Sequence, residues 1–144
     1  MMNSVSAARP KFGFVLEHDL RILFVARDQE VLGLACTHLA RPGLEIEAAL
    51  GIETGLQQLD AQRFDLALID LANGASGLRM IDEMRTRQHL RHMPIMVVTG
   101  AGDLDIIERA YDAGATSFTT RPIDWRVLGS HLRYVMRAQG LLAA

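Results

Sequence analysis

Cysteine is nearly absent: Cys36 is the only one among 144 residues. A single thiol cannot close an intrachain disulfide, so nothing points to an oxidising compartment. Its setting, "VLGLACTHLA", predicts a buried core thiol. Lysine is almost as scarce, since Lys11 is the only lysine among 15 basic residues; this reads as compositional bias. No apolar run approaches the roughly 18 residues that a membrane span needs. The N-terminus lacks a basic start followed by an apolar stretch and a cleavage site, so a cytoplasmic location is expected. A net charge of −2 offers no global attraction to nucleic acid or anionic lipid, and neither is expected as a direct partner. His18, His38, His89, His92 and His131 are scattered, and no pair combines helical ligand spacing with an acidic neighbour. That pattern speaks against zinc and against a histidine phosphoacceptor. "GASG" and "TGAGD" are glycine-containing turns, but neither matches a P-loop or a dinucleotide fingerprint.

What is present is apolar substance, 49% of the chain against 22% charged residues. This is the composition of one folded domain, large enough to bury roughly two-thirds of the surface its unfolded form exposes. Residues 1–20 have no sustained period and read as an N-terminal arm whose "FGFVL" could dock on the domain or on a partner. Residues 21–138 form the domain, and 139–144 a tail or the start of a linker to an output domain.

From Arg21 onward short β-rich runs alternate with helical patterns. "RILFV" predicts a first strand, and residues 29–40 a helix that "RPG" ends. "LEIEAAL" alternates, as an edge strand does. After the helix "IETGLQQLDAQ", "FDLALID" is apolar enough for a strand buried on both faces. "GLRMIDEMRTRQHL" is a helix with Met80, Leu78, Ile81 and Met84 on one stripe, and "MPIMVVTG" is the fourth strand. "DLDIIERAYDAG" is a helix capped by Asp103 and closed by Gly114. "TSFTTRP" and "DWRVLGSHLRYVMRAQGLLAA" complete the fifth strand and fifth helix. Five such units predict an open, doubly wound, five-stranded parallel sheet with helices on both faces. Ligands of such sheets sit outside the carboxyl ends of the strands. The positions of interest are therefore Ala26, Arg27 and Asp28; Asp70; Thr99 and Gly100; Arg121 and Pro122.

Taken in order, these strand ends resemble the receiver domain of two-component response regulators, over residues 21 to about 138. "FDLALIDL" resembles the strand carrying the phosphoacceptor, with Asp70 in that place. "PIMVVTG" resembles the strand ending in the Thr or Ser that contacts the phosphoryl group, here Thr99. "AYDAGATSFTTRPID" resembles the Gly-Ala, aromatic, Lys-Pro segment, with Phe118 at the aromatic position and Arg121 in place of lysine. The resemblance implies the flavodoxin-like (βα)5 fold and a signalling module rather than an enzyme. A carboxylate is already ionised at neutral pH and needs no general base to attack phosphorus. The difficulty is bringing two anions together, which Mg²⁺ and a cation normally offset.

The family holds that metal with an acidic pair at the end of the first strand, with the phosphoacceptor, and with the backbone carbonyl two residues beyond it, here Ala72. In "RILFVARDQE" the acidic-pair positions are Ala26 and Arg27. Asp28, one place later, is expected as a helix cap, while a shifted strand end would bring it inward. That leaves Asp28 and Asp70 as a weak metal set, with no cofactor otherwise expected. Arg27 either turns toward the strand ends to pair with Asp70 or points to solvent. Arg121 keeps a positive charge but replaces a compact ammonium with a planar fork. "LANGASG" lacks the family's Met-Pro and Asp-Gly, carries an Asn73-Gly74 turn signal and reaches Gly77 one residue early. The basic cluster "RTRQHLRH" suits a helix end.

The expected function is an atypical receiver, a pseudo-receiver, acting as an interaction and dimerisation module with impaired Mg²⁺-dependent phosphorylation. The alternative is a working phosphoacceptor at Asp70 controlling an output such as a cyclic-di-GMP enzyme, since "IDWRVLGSHLRYVMRA" resembles the helix leading into such domains. A sensor histidine kinase or another signalling protein is the implied partner, with a homodimer through the last two helices and last strand. A flavin or nucleotide enzyme would rest on fold analogy alone.

Overall fold

The computed structural model describes residues 20–72 and 75–140. The docking of "FGFVL", the Asn73-Gly74 turn and the end of the tail lie outside the described residues. The elements are β1 (Leu20–Ala26), α1 (Gln29–Leu39), β2 (Leu44–Leu50), α2 (Ile52–Ala61), β3 (Leu66–Asp70), α3 (Ala75–Thr86), β4 (Ile95–Thr99), α4 (Leu104–Ala113), β5 (Ser117–Thr120) and α5 (Trp125–Ala138), with a 3₁₀ turn over Gln88–Leu90 between α3 and β4. All strand pairs are parallel, in the order β2-β1-β3-β4-β5. This is the doubly wound sheet that the alternation predicts.

The period of two explains the layers. Leu23, Val25, Ala67, Ile69, Ile95 and Val97 point to one side, where Leu56, Leu59, Ile81, Met84 and Ala110 of α2, α3 and α4 cover them. Ile22, Phe24, Leu66, Leu68, Met96 and Val98 point to the other, against Leu32, Ala35 and Leu39 of α1 and Leu128, Leu132, Val135 and Met136 of α5. All of these are buried, and each large side chain contributes roughly 1.5–3 kcal/mol of transfer free energy. With both faces covered, the central strands must be apolar throughout.

β2 is the edge its alternation predicts, with Leu50 46% exposed. Arg21 tidies this corner: Nε donates to Glu45 at 3.2 Å, Nη2 to Glu47 at 3.1 Å and to Gln62 Oε1 at 2.8 Å, and the guanidinium lies 4.6 Å from the Phe64 ring centroid. Charges along an edge discourage pairing with other chains. On the same layer a chain of ion pairs runs Glu53–Arg79–Glu83–Arg87–Asp60, with His89 hydrogen-bonded to Asp60 at its end, and joins both ends of α2 to one face of α3.

The third helix ends earlier than the pattern predicts. Its helical bonding stops at Thr86, whose hydroxyl donates to the Glu83 carbonyl at 2.8 Å. Arg85 then fixes the following turn through its Nη1, 3.1 Å from the Leu90 carbonyl and 3.0 Å from that of Arg91. Asp103 caps α4, accepting from Ile106 N at 3.4 Å, and Gly114 closes it at φ 121°, where a side chain would be strained. Cys36 is half-buried rather than fully enclosed.

Candidate functional site

Parallel pairing brings the carboxyl ends of all five strands to one edge. The register sets Asp70 beside Val98 and Thr99 beside Thr120, so β3, β4 and β5 end in step. Leu71 N donates to the Val98 carbonyl at 2.8 Å, and Arg121 N to the Thr99 carbonyl at 2.8 Å. These two backbone bonds carry the ladder one residue beyond the strands. They thereby fix the bases of the Asp70 and Arg121 side chains.

Asp70 is the centre of this edge, its side chain only 5% exposed. Oδ1 accepts from Arg121 Nη1 at 2.6 Å and from Ala72 N at 2.9 Å, the second closing a local turn of the kind Asp favours. Oδ2 has no hydrogen-bond partner among the described residues. Burial pushes the Asp70 carboxyl above its ordinary range, and the Arg121 charge, the Ala72 N–H and the Arg121 hydrogen bond pull it back without cancelling the rise; the Asp28 charge adds slightly to it. The ion pair therefore tempers the cost of an enclosed carboxylate but does not remove it.

Arg121 reaches Asp70 across the β4–α4 loop. A Cβ on Gly100 would stand 3.8 Å from Arg121 Nη2, so the fork passes close to that loop's backbone. The Arg121-Pro122 peptide is cis. Thr99 is buried at the end of β4, and its hydroxyl turns to the Gly100 carbonyl at 3.3 Å. Phe118, three residues before Arg121, is half-buried on β5, with its ring edge-on to Tyr111 at 6.0 Å. On the other side of Asp70 the first turn of α3 closes against the strand end. A Cβ on Gly77 would meet Leu71 Cδ2 at 2.1 Å, so glycine is what permits the approach.

The end of β1 contributes little. Ala26 is buried and its carbonyl accepts from Gly51 N at 2.9 Å. Arg27 is exposed and forms no ion pair among the described residues, which corresponds to the solvent-facing alternative; the cation on Asp70 is Arg121. Asp28 is the cap of α1, its Oδ1 accepting from Glu30 N at 2.8 Å. Among carboxylates this edge thus offers Asp70, already held by a guanidinium, and Asp28, already engaged by a helix. Magnesium seeks about six oxygen ligands in octahedral array, and no group of three or more His, Cys, Asp or Glu among the described residues is placed to hold a metal.

Sequence reasoning placed Asp70, Thr99 and Arg121 on one edge, and the structure joins the first and last directly. It missed the use of the Ala72 N–H, which donates to Asp70 Oδ1. The signal was present in the small residue two places after an Asp.

The chain matches the family described as "Response regulator receiver domain" over residues 22–133. It is 26% identical over 118 residues to the phosphate regulon transcriptional regulatory protein PhoB of Escherichia coli, covering 81% of this chain and 52% of that protein. It is 25% identical over 118 residues to the heme response regulator HssR of Staphylococcus epidermidis, covering 82% and 52%. The chain spans about half the length of these curated relatives. Among solved structures, a putative response regulator from Chloroflexus aurantiacus superposes with a TM-score of 0.76 at 24% identity, over 82% of this chain and 98% of that one. A CheY-like receiver domain protein from Methanospirillum hungatei gives 0.75 at 25% identity, over 84% and 96%. With the family match running from β1 into α5 and the strand-end residues in family order, the chain belongs to the response regulator receiver domain family.

Proposed function

We propose that this receiver domain is a pseudo-receiver: a protein-interaction and dimerisation module of two-component signalling in which Mg²⁺-dependent phosphorylation at Asp70 is impaired. The observation that carries this reading is the Arg121–Asp70 ion pair at 2.6 Å, facing a first strand that ends in Ala26 and Arg27. A guanidinium supplies the charge of a metal without its coordination geometry, and it takes one of the two Asp70 oxygens. With Asp28 engaged as a cap, the remaining donors suit Mg²⁺ poorly.

The test is phosphorylation by acetyl phosphate with Mg²⁺, scored as a hydroxylamine-labile adduct. The wild-type protein is expected to form none, and Arg27→Asp to gain a Mg²⁺ response. A wild-type adduct that Asp70→Asn abolishes overturns the proposal. It would establish the second reading, a working phosphoacceptor controlling an output, which the uncommitted Oδ2 and the neighbouring Thr99 favour.

A sensor histidine kinase or another signalling protein is the proposed partner. The homodimer is assigned to α4, β5 and α5. Of the large exposed apolar side chains, Leu104 (69%), Tyr111 (44%), Val127 (59%) and Tyr134 (64%) lie on these two helices. His131, on the Val127–Tyr134 stripe, accepts or donates a 2.8 Å bond with Ser117 Oγ, which turns that stripe toward β5. An apolar patch flanking an edge strand is suited to a second copy of the same surface.

A further inference from the structure

We propose that the side of α5 facing the α1–β2 turn binds a compact polyanion of the phosphate class, at a site separate from Asp70. A cleft of about 510 Å³ opens there, lined by Arg41, Asp124, Arg126, Val127, Ser130 and Arg133. Its volume lies in the range of small-ligand sites.

The charge of this cleft is not used by the fold. Arg21, Arg79, Arg87, Arg109 and Arg121 all sit in ion pairs, and Arg85 is spent on backbone carbonyls. Arg41, Arg126 and Arg133 form no ion pair among the described residues; Arg133 Nη2 donates only to Ser130 Oγ, at 3.2 Å. The acid of the cleft, Asp124, has its Oδ1 committed to Arg126 N at 3.0 Å and Val127 N at 3.2 Å as the cap of α5. Three guanidinium groups therefore face one space with a single carboxylate between them.

The position of Arg126 sharpens the point. It stands in the first turn of α5, which holds no acidic residue. A cation there opposes the helix dipole, whose positive end is the N-terminus. Helix stability does not explain it, and proximity to Arg41 and Arg133 adds repulsion. A bound anion reverses both terms at once. Planar guanidinium forks grip phosphate oxygens bidentately, and Ser130 adds a hydroxyl donor. The stripe of α5 involved, residues 126, 130 and 133, is centred on a different face from the 127–131–134 stripe assigned above to the dimer, and Val127 lies where the two surfaces meet.

Trp125, the only tryptophan, precedes Arg126 and stacks on His38 with ring centroids 5.8 Å apart, and so reports on this end of α5. The full chain, without Mg²⁺ and at constant ionic strength, is titrated with sodium pyrophosphate while Trp125 fluorescence is followed. A saturable change with a Kd of roughly 1 mM or tighter is expected. Arg126→Gln with Arg133→Gln should weaken it about tenfold or more, and Arg137→Gln, on the same helix outside the cleft, should not. Adenosine diphosphate run in parallel distinguishes the sources: tighter binding than pyrophosphate assigns a nucleotide, equal binding a free phosphate group. An absent or non-saturating response, one unchanged in the double variant, or tighter binding of an acidic peptide of equal charge overturns the proposal.

Discussion

Arg121 Nη1 donates to Asp70 Oδ1 at 2.6 Å, linking residues 51 positions apart through a carboxylate that is 95% enclosed and a guanidinium that is 35% exposed. The two share one ladder edge but not one environment. Removing the guanidinium leaves the burial of Asp70 and deletes two of the interactions that favour its charge. Arg121→Ala should therefore raise the Asp70 pKa further, readable as a shifted midpoint of its side-chain carboxyl carbon in an NMR titration. At neutral pH the variant should lose on the order of 1–3 kcal/mol, the cost of an under-satisfied buried group, with the exposure of Arg121 holding it to the lower part of that range.

The raised Asp70 pKa fixes a pH dependence. The folded carboxyl holds its proton to higher pH than the unfolded one, whose ordinary value is 3.8. Its contribution to stability is fully present below 3.8 and is lost as pH rises through the folded value. Asp70→Asn, which resembles the protonated acid and still offers Arg121 an acceptor, escapes that loss. Urea unfolding across pH should show the variant and wild type alike below pH 3.8, with the variant gaining above it and the gap constant once Asp70 is ionised. A wild type more stable than the variant at neutral pH would contradict this.

Asp28 separates a capping role from a ligand role. Its Oδ1 holds Glu30 N, so Asp28→Ala should cost about 1 kcal/mol of stability while Asp28→Asn keeps most of it. Both substitutions remove a negative charge that raises Asp70, and both should lower the Asp70 midpoint. If Asp28 instead served a metal, Asn would fail like Ala in a Mg²⁺ titration while remaining stable.

How far the sequence could be read follows from the range of each interaction. Strand positions and layers were legible because the centres of these runs, "ILFV", "LALI" and "PIMVV", are apolar without interruption, and only a strand covered on both faces tolerates that. The edge character of β2 was legible in the alternation of "LEIEAAL". Caps at Asp28 and Asp103 and the stop at Gly114 are local and could be read from a few neighbours. The partner of Asp70 was different in kind: Arg27 and Arg121 were both candidates, since nothing in a linear string says which of two distant arginines can reach an enclosed carboxylate. The register of β3, β4 and β5 decides it. The early end of α3 was illegible for a related reason, because it depends on Arg85 reaching forward to carbonyls of the next turn and of the α4 terminus.

That reach supports a final prediction. Arg85 donates through Nε and Nη2 to the Gly114 carbonyl, at 3.1 and 2.8 Å, and through Nη1 to the carbonyls of Leu90 and Arg91. Burial lowers its pKa, but the side chain remains cationic at neutral pH. Arg85→Met keeps much of the packing and strands the carbonyls, and should cost on the order of 2–3 kcal/mol. Arg85→Lys should recover only part, because one ammonium cannot span three acceptors on separate segments. Gly114 carries the other half of the contact: a Cβ there would meet Arg85 Cγ at 2.8 Å, at a φ of 121° that already disfavours a side chain. Gly114→Ala therefore combines a backbone cost with a clash, and only the clash depends on Arg85. In a double-mutant cycle by chemical denaturation, Gly114→Ala should cost less in the Arg85→Ala background than in wild type, by an interaction energy of about 0.5–3 kcal/mol. Strict additivity would mean that the two residues do not form the clamp joining α3 to the end of α4.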